Sequence, residues 1–118
     1  MCLLDVLKVN EVLKSYFNVD EDELVNMFLN GYCFEYYNVL KSIYPEVSLV
    51  LEKGKSHCGA LDKSLVYDAS GYRLESDFMV PSAFEQDFVK NFFGRFSDDT
   101  RNDVISYVKK KVGRDNYC

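Results

Sequence analysis

Tryptophan is absent from this sequence, histidine occurs once and proline twice. No apolar run approaches the roughly 20 residues a helix needs to cross a bilayer, which argues against a membrane-spanning segment. There is no C-x-x-C pair, so a structural zinc site is not expected; no other metal and no cofactor is expected either. Cations are outnumbered as well. With 19 acidic against 14 basic side chains and a net charge of −5, the chain lacks the Lys and Arg density of a nucleic-acid footprint, and no direct nucleic-acid binding is expected. A basic partner stays open, as does an acidic surface that competes with nucleic acid for a basic groove. The opening Met1-Cys2-Leu3-Leu4-Asp5 has neither the basic n-region nor the apolar core of a signal peptide, so the expected location is the cytoplasm of the producing or host cell. Without an export signal, Cys2, Cys33, Cys58 and Cys118 are expected to be free thiols rather than a disulfide framework. Repeats, low-complexity tracts and dividing linkers are also absent, and residues 1–118 are expected to form one domain.

What the chain does have is apolar mass. Hydrophobic residues make up 47% and nine Tyr and nine Phe raise the aromatic share, so rings must fill the core and line a cleft or interface. Leu3, Val6, Leu7, Leu13, Tyr16 and Phe17 recur at helical steps and predict a first helix over 3–17. Asp20, with Glu23 three positions on, has capping-box spacing and starts a second helix, whose acidic first turn suits the positive end of the helix dipole. Asn30-Gly31 breaks it. Tyr32 or Cys33 starts a third helix with a broad apolar stripe through Phe34, Tyr37, Leu40 and Ile43, ended near Tyr44 by Pro45.

The pattern then changes to short β-prone segments: Val47 to Glu52, His57 to Leu61, Leu65 to Asp68 and a little more at Tyr72 to Leu74. Links this short make an antiparallel meander. Ser82 and Glu85 cap a fourth helix carrying Phe84, Phe88 and Phe92 at four-residue steps, joined by Val89 and Phe93 and ended by Gly94. A fifth begins between Ser97 and Thr100, uses Val104, Ile105 and Val108, and finishes in Lys109-Lys110-Lys111-Val112-Gly113. The fold class is therefore α+β: N-terminal helices, with a cysteine at a helix start, pack on a three- to four-stranded antiparallel sheet, and two helices follow.

Chemistry gathers between Asn30 and Gly71. Cys33 follows Gly31 by two residues and opens a helix, where the dipole favours the reactive thiolate and free backbone amides can hold an oxyanion. His57 opens the second strand, placed to face that helix start as a general base. If Asp62 and Lys63 are the central turn residues of the following hairpin, Asp68 lies opposite His57 on one face and can fix its tautomer. A one-residue slip would separate them. A zinc site from Cys33, His57 and Cys58 is disfavoured, because adjacent strand residues point to opposite faces.

Gly31-x-Cys33 at a helix start, His57 at a strand start and Asp68 ending the next strand resemble the papain-like cysteine peptidase superfamily. The likeness is nearest to the compact cores of its transglutaminase-like and bacterial cell-wall peptidase groups. Ser56-His57-Cys58-Gly59-Ala60-Leu61, with Val66-Tyr67-Asp68-Ala69-Ser70-Gly71, also looks like a signature of small phage and plasmid proteins of that fold. The resemblance implies Cys33 as nucleophile, His57 as general base and acid, and Asp68 as the residue that orients His57. No Trp follows the cysteine and no upstream Gln completes an oxyanion hole, so Asn30 or the Cys33 amide would have to serve. Two functions are expected. One is a thiol hydrolase, a peptidase or amidase with an acyl-enzyme on Cys33 and a protein or peptide substrate. The other is a non-catalytic acidic binding protein on the same scaffold, such as a phage-encoded inhibitor of a host defence nuclease.

Overall fold

The computed structural model describes residues 1–112. Among these residues, five helices and a five-stranded antiparallel sheet confirm the α+β class. Helices α1 (Leu3–Phe17), α2 (Glu21–Leu29) and α3 (Cys33–Ile43) lead into strands β1 (Ser48–Glu52), β2 (Cys58–Asp62), β3 (Leu65–Asp68) and β4 (Gly71–Leu74). A short 3-10 turn, Glu75–Asp77, brings the chain to β5 (Phe78–Met79), and α4 (Ala83–Phe93) and α5 (Asp98–Val112) complete it.

The helix limits follow local chemistry. The Asp20 side chain accepts from the Glu23 N–H at the start of α2, and Ser82 and Glu85 form a reciprocal capping box at the start of α4. Gly31 takes φ +107°, a conformation that L side chains rarely adopt, and this turn lets α3 begin immediately after α2. The fifth helix extends to Val112; Gly113, expected at its end, lies outside the described residues.

Strands β1 to β4 form the expected meander, but the sheet order is β4-β3-β2-β1-β5. The expectation of three to four strands falls short by β5, which crosses back to pair Leu51 with Met79 and Glu52 with Phe78. A two-residue strand has no alternation to read, and only its partner defines it. The β2–β3 register also differs from the expected one. Asp62 pairs with Leu65, Leu61 with Val66 and Ala60 with Tyr67, so Lys63 and Ser64 are the turn centre. Lys63 adopts φ +60° there.

The main core lies between the helices and one face of the sheet. Val6, Val9 and Leu13 of α1, Leu24 and Phe28 of α2, Tyr36 and Leu40 of α3, and Val104 and Val108 of α5 meet Ala60 and Tyr67. The third helix packs on β2 and α5. A second, smaller cluster joins Cys33 and Phe34 to Leu49, Cys58 and Val89, tying the start of α3 to β1, β2 and α4. Val50, Val66 and Phe78 alternate onto the other face of the sheet, where Arg73 clasps Glu52 through two hydrogen bonds of 2.7 and 3.1 Å.

Candidate active site

Antiparallel pairing sets the first residue of β2 and the last of β3 at one end of the sheet, where α3 also begins. Cys33 is the first residue of α3, His57 immediately precedes β2, and Asp68 closes β3. His57 Nε2 lies 2.9 Å from Asp68 Oδ2. The imidazole also lies near enough to the Cys33 sulfur for each to shift the other's pKa. Since Asp68 occupies Nε2, Nδ1 is the nitrogen left for Cys33. Cys33, His57 and Asp68 thus converge, with His57 in the middle.

Asp68 is held from several sides. Its second oxygen accepts from the Ser70 N–H at 2.9 Å and from the Ser70 hydroxyl. This is an Asx turn, and it leaves Asp68 acceptor-only towards His57. The adjoining Ala69 carbonyl accepts from Asn10 Nδ2 at 2.9 Å, and Asn10 Oδ1 accepts from the Tyr36 hydroxyl at 2.7 Å. This buried relay locks α1, α3 and the end of β3 together. Burial alone would raise the Asp68 pKa, but the hydrogen bonds from His57 and Ser70 outweigh it and hold the carboxyl below its usual range.

The start of α3 is anchored by Glu35. This buried carboxylate accepts from the Arg95 and Phe96 N–H groups at 2.7 and 2.9 Å, and from Arg101 Nε and NH2, each at 2.7 Å. Burial would raise its pKa, yet the Arg101 guanidinium and the two amides hold it below the ordinary value. The link fixes the α4–α5 connection against the helix that carries Cys33.

Cys58 is the residue that sequence reasoning underrated. Its Sγ donates to Cys33 Sγ at 3.3 Å, and its backbone N–H adds to the lowering of the Cys33 pKa. Alternation sends the Cys58 side chain towards α3, whereas His57 stands outside the strand and is free of that rule. Hence both neighbours reach Cys33. The Cys58 thiol, followed by His57, stabilises the Cys33 thiolate against the cost of burial and lowers its pKa to about 5. Cys58 itself is pushed up, because its hydrogen bond to the Cys33 sulfur holds the proton and burial disfavours a second thiolate there. The Asp68 and Cys33 hydrogen bonds raise His57 to about 9. Both shifts favour a Cys33 thiolate beside a protonated His57. Among the described residues no cluster of three His, Cys, Asp or Glu side chains has an arrangement that could hold a metal ion.

Asn30 lies elsewhere. It is exposed, and its amide donates to Asn26 O and Asn26 Oδ1 at 2.9 and 2.7 Å, closing the C-terminus of α2 rather than facing Cys33. Cys33 and Cys58 are free thiols, as expected; Cys2 is disulfide-bonded, against expectation, and Cys118 lies outside the described residues. Among the described residues no helix is long and apolar enough to cross a membrane.

A family described as Phage YunG-like protein matches residues 9–110, a span that includes all three converging side chains and both strands that carry them. The chain belongs to this phage YunG-like family. No curated protein and no solved structure matches it. Within the YunG-like span, the relay through Asn10, Tyr36 and Ala69, the Glu35 anchor and the Cys33–Cys58 contact all accompany the Cys–His–Asp arrangement.

Proposed function

We propose that this YunG-like chain is a thiol hydrolase, a peptidase or amidase with a papain-like Cys–His–Asp order. The observation that carries the proposal is the convergence of three side chains, with His57 bonded to Asp68 at 2.9 Å and set beside the Cys33 sulfur. In this reading the Cys33 thiolate attacks a carboxamide carbon. The first amides of α3, which have no intrahelical acceptor, stabilise the oxyanion. His57 gives its proton to the departing amine, leaving an acyl-enzyme on Cys33. Neutral His57 then takes a proton from water, whose oxygen displaces the thiolate and releases the acid. Asp68 holds the ring tautomer throughout. Cys33 is only 3% exposed and packs with Val89, so a carbonyl reaches it when α4 moves aside.

A stopped assay with p-nitrophenyl acetate tests this reading. The expected result is an acetyl adduct on Cys33 and nitrophenol release that Cys33→Ala and His57→Ala each abolish. Unchanged release by Cys33→Ala would sink it.

One observation favours a second reading. Phe84, Phe88 and Phe92 are 81%, 55% and 57% exposed along α4, and Glu21, Asp22 and Glu23 are exposed at the start of α2. Aromatic and acidic surface of this kind suits a non-catalytic binding protein, such as a phage-encoded inhibitor of a host defence nuclease. In that case Cys33→Ala leaves activity intact, and reversing the charges at Glu21, Asp22 and Glu23 abolishes it.

A further inference from the structure

Hydrolysis gives Cys58 no covalent task, yet its sulfur is set against Cys33 rather than merely near it. The two sulfurs are 3.3 Å apart in a cluster closed by Phe34, Leu49 and Val89. Cys58 is fully buried and Cys33 nearly so. Both stand at the first residue of their element, α3 and β2, so a small shift of either end moves one sulfur towards the other. Covalent contact needs an approach to about 2.05 Å, little more than 1 Å closer.

We propose that Cys33 and Cys58 are a peroxide-reactive dithiol, in which Cys33 is oxidised first and Cys58 resolves it into an intramolecular disulfide. The Cys33 sulfur attacks one oxygen of a hydroperoxide. An S–O bond forms, the O–O bond breaks, and the leaving oxygen takes a proton from the imidazolium of His57 and departs as an alcohol, or as water from hydrogen peroxide. Sulfur is oxidised by two electrons and the peroxide is reduced. The Cys58 thiol then gives its proton to neutral His57, and its sulfur attacks the sulfenic sulfur of Cys33. The S–S bond forms, the S–O bond breaks, and the hydroxyl leaves as water with the proton from His57. The sum is two thiols and one peroxide giving one disulfide, one alcohol and one water. Hydrogen peroxide is the suitable oxidant because it is scarcely larger than water, whereas bulkier reagents meet Cys33 only when the cluster opens. A neighbouring thiol matters because it intercepts the sulfenic acid before irreversible oxidation. The proposal concerns the sulfur pair and stands whether or not Cys33 hydrolyses a substrate.

The test is peptide mapping of the intact protein after stoichiometric hydrogen peroxide, with N-ethylmaleimide blocking of remaining thiols under denaturing conditions. The expected product joins the Cys33 and Cys58 peptides, about 2 Da lighter than their sum, and dithiothreitol restores both thiols. With Cys58→Ser or Cys58→Ala, oxidation should stop at a Cys33 sulfenic acid that dimedone traps. Wild-type protein decides the matter even if both variants fail to fold. Maleimide on both residues after peroxide overturns the proposal, as does Cys33 sulfinic acid beside an unmodified Cys58.

Discussion

His57 and Asp68 meet on a diagonal of the β2–β3 hairpin rather than directly across it. Their side chains are 2.9 Å apart, although continuing the ladder from Ala60–Tyr67 sets Gly59 against Asp68. The expected turn at Asp62-Lys63 would have placed the two residues face to face. The observed turn lies at Lys63-Ser64, which shifts the partner by two positions. His57 precedes β2 and is not held to strand alternation, so its side chain reaches Asp68 despite the change of register.

Gly59, which the ladder sets against Asp68, is confined by Val66 and Tyr67. A Cβ on it would lie 2.5 Å from Val66 Cγ1 and 3.2 Å from the Tyr67 carbonyl. Gly59→Ala must displace the buried Val66 side chain, and overpacking of this kind costs about 1–3 kcal/mol. Chemical denaturation should show that loss. A variant as stable as the parent would show that the hairpin absorbs the methyl group.

The charge pair sets a pH window. His57 is raised from 6.5 to about 9, so its contribution to stability is complete below about 6.5 and is lost as pH rises through about 9. Cys33 is lowered from 9.0 to about 5, so its contribution is complete above about 9 and is lost as pH falls through about 5. Thiolate absorbance should therefore appear with a midpoint near 5, and His57→Ala should move that midpoint upward. An ordinary thiol titration in the wild type would remove the basis for an activated Cys33.

Glu35 and Arg101 make the buried ion pair that steadies the start of α3. Arg101→Met leaves the carboxylate buried with only the Arg95 and Phe96 amides, and stability should fall by about 3 kcal/mol. The Glu35 pKa lies below its ordinary value of 4.5, so its contribution is present above 4.5 and fades as pH falls through the lowered value. Acid unfolding of wild type and variant, followed by circular dichroism, checks both statements. Equal stabilities at neutral pH would count against the anchor.

The fourth helix should divide its mutations by face. Phe88→Ser, at an exposed position, should change stability by no more than about 0.5 kcal/mol. Val89→Ala opens the cluster around the two sulfurs and should cost about 2 kcal/mol. It should also accelerate iodoacetamide labelling of Cys33, which peptide mapping reads directly. If Val89→Ala left that rate unchanged, α4 would not be the cover over Cys33.

Periodicity and caps by themselves determined the five helices, a meander of three to four strands, and the places of Cys33 at a helix start and Asp68 at a strand end, because these depend on neighbours within a few residues. Tertiary structure alone decided four other matters. It turned Phe84, Phe88 and Phe92 outward, since the repeat that makes a stripe does not say which side meets the core. It brought β5 to β1 and Arg101 to Glu35, pairings separated by long stretches of chain. It turned Asn30 back onto α2. And it set Cys58 against Cys33, because the side to which a strand-opening residue points is fixed only when the sheet packs on a helix.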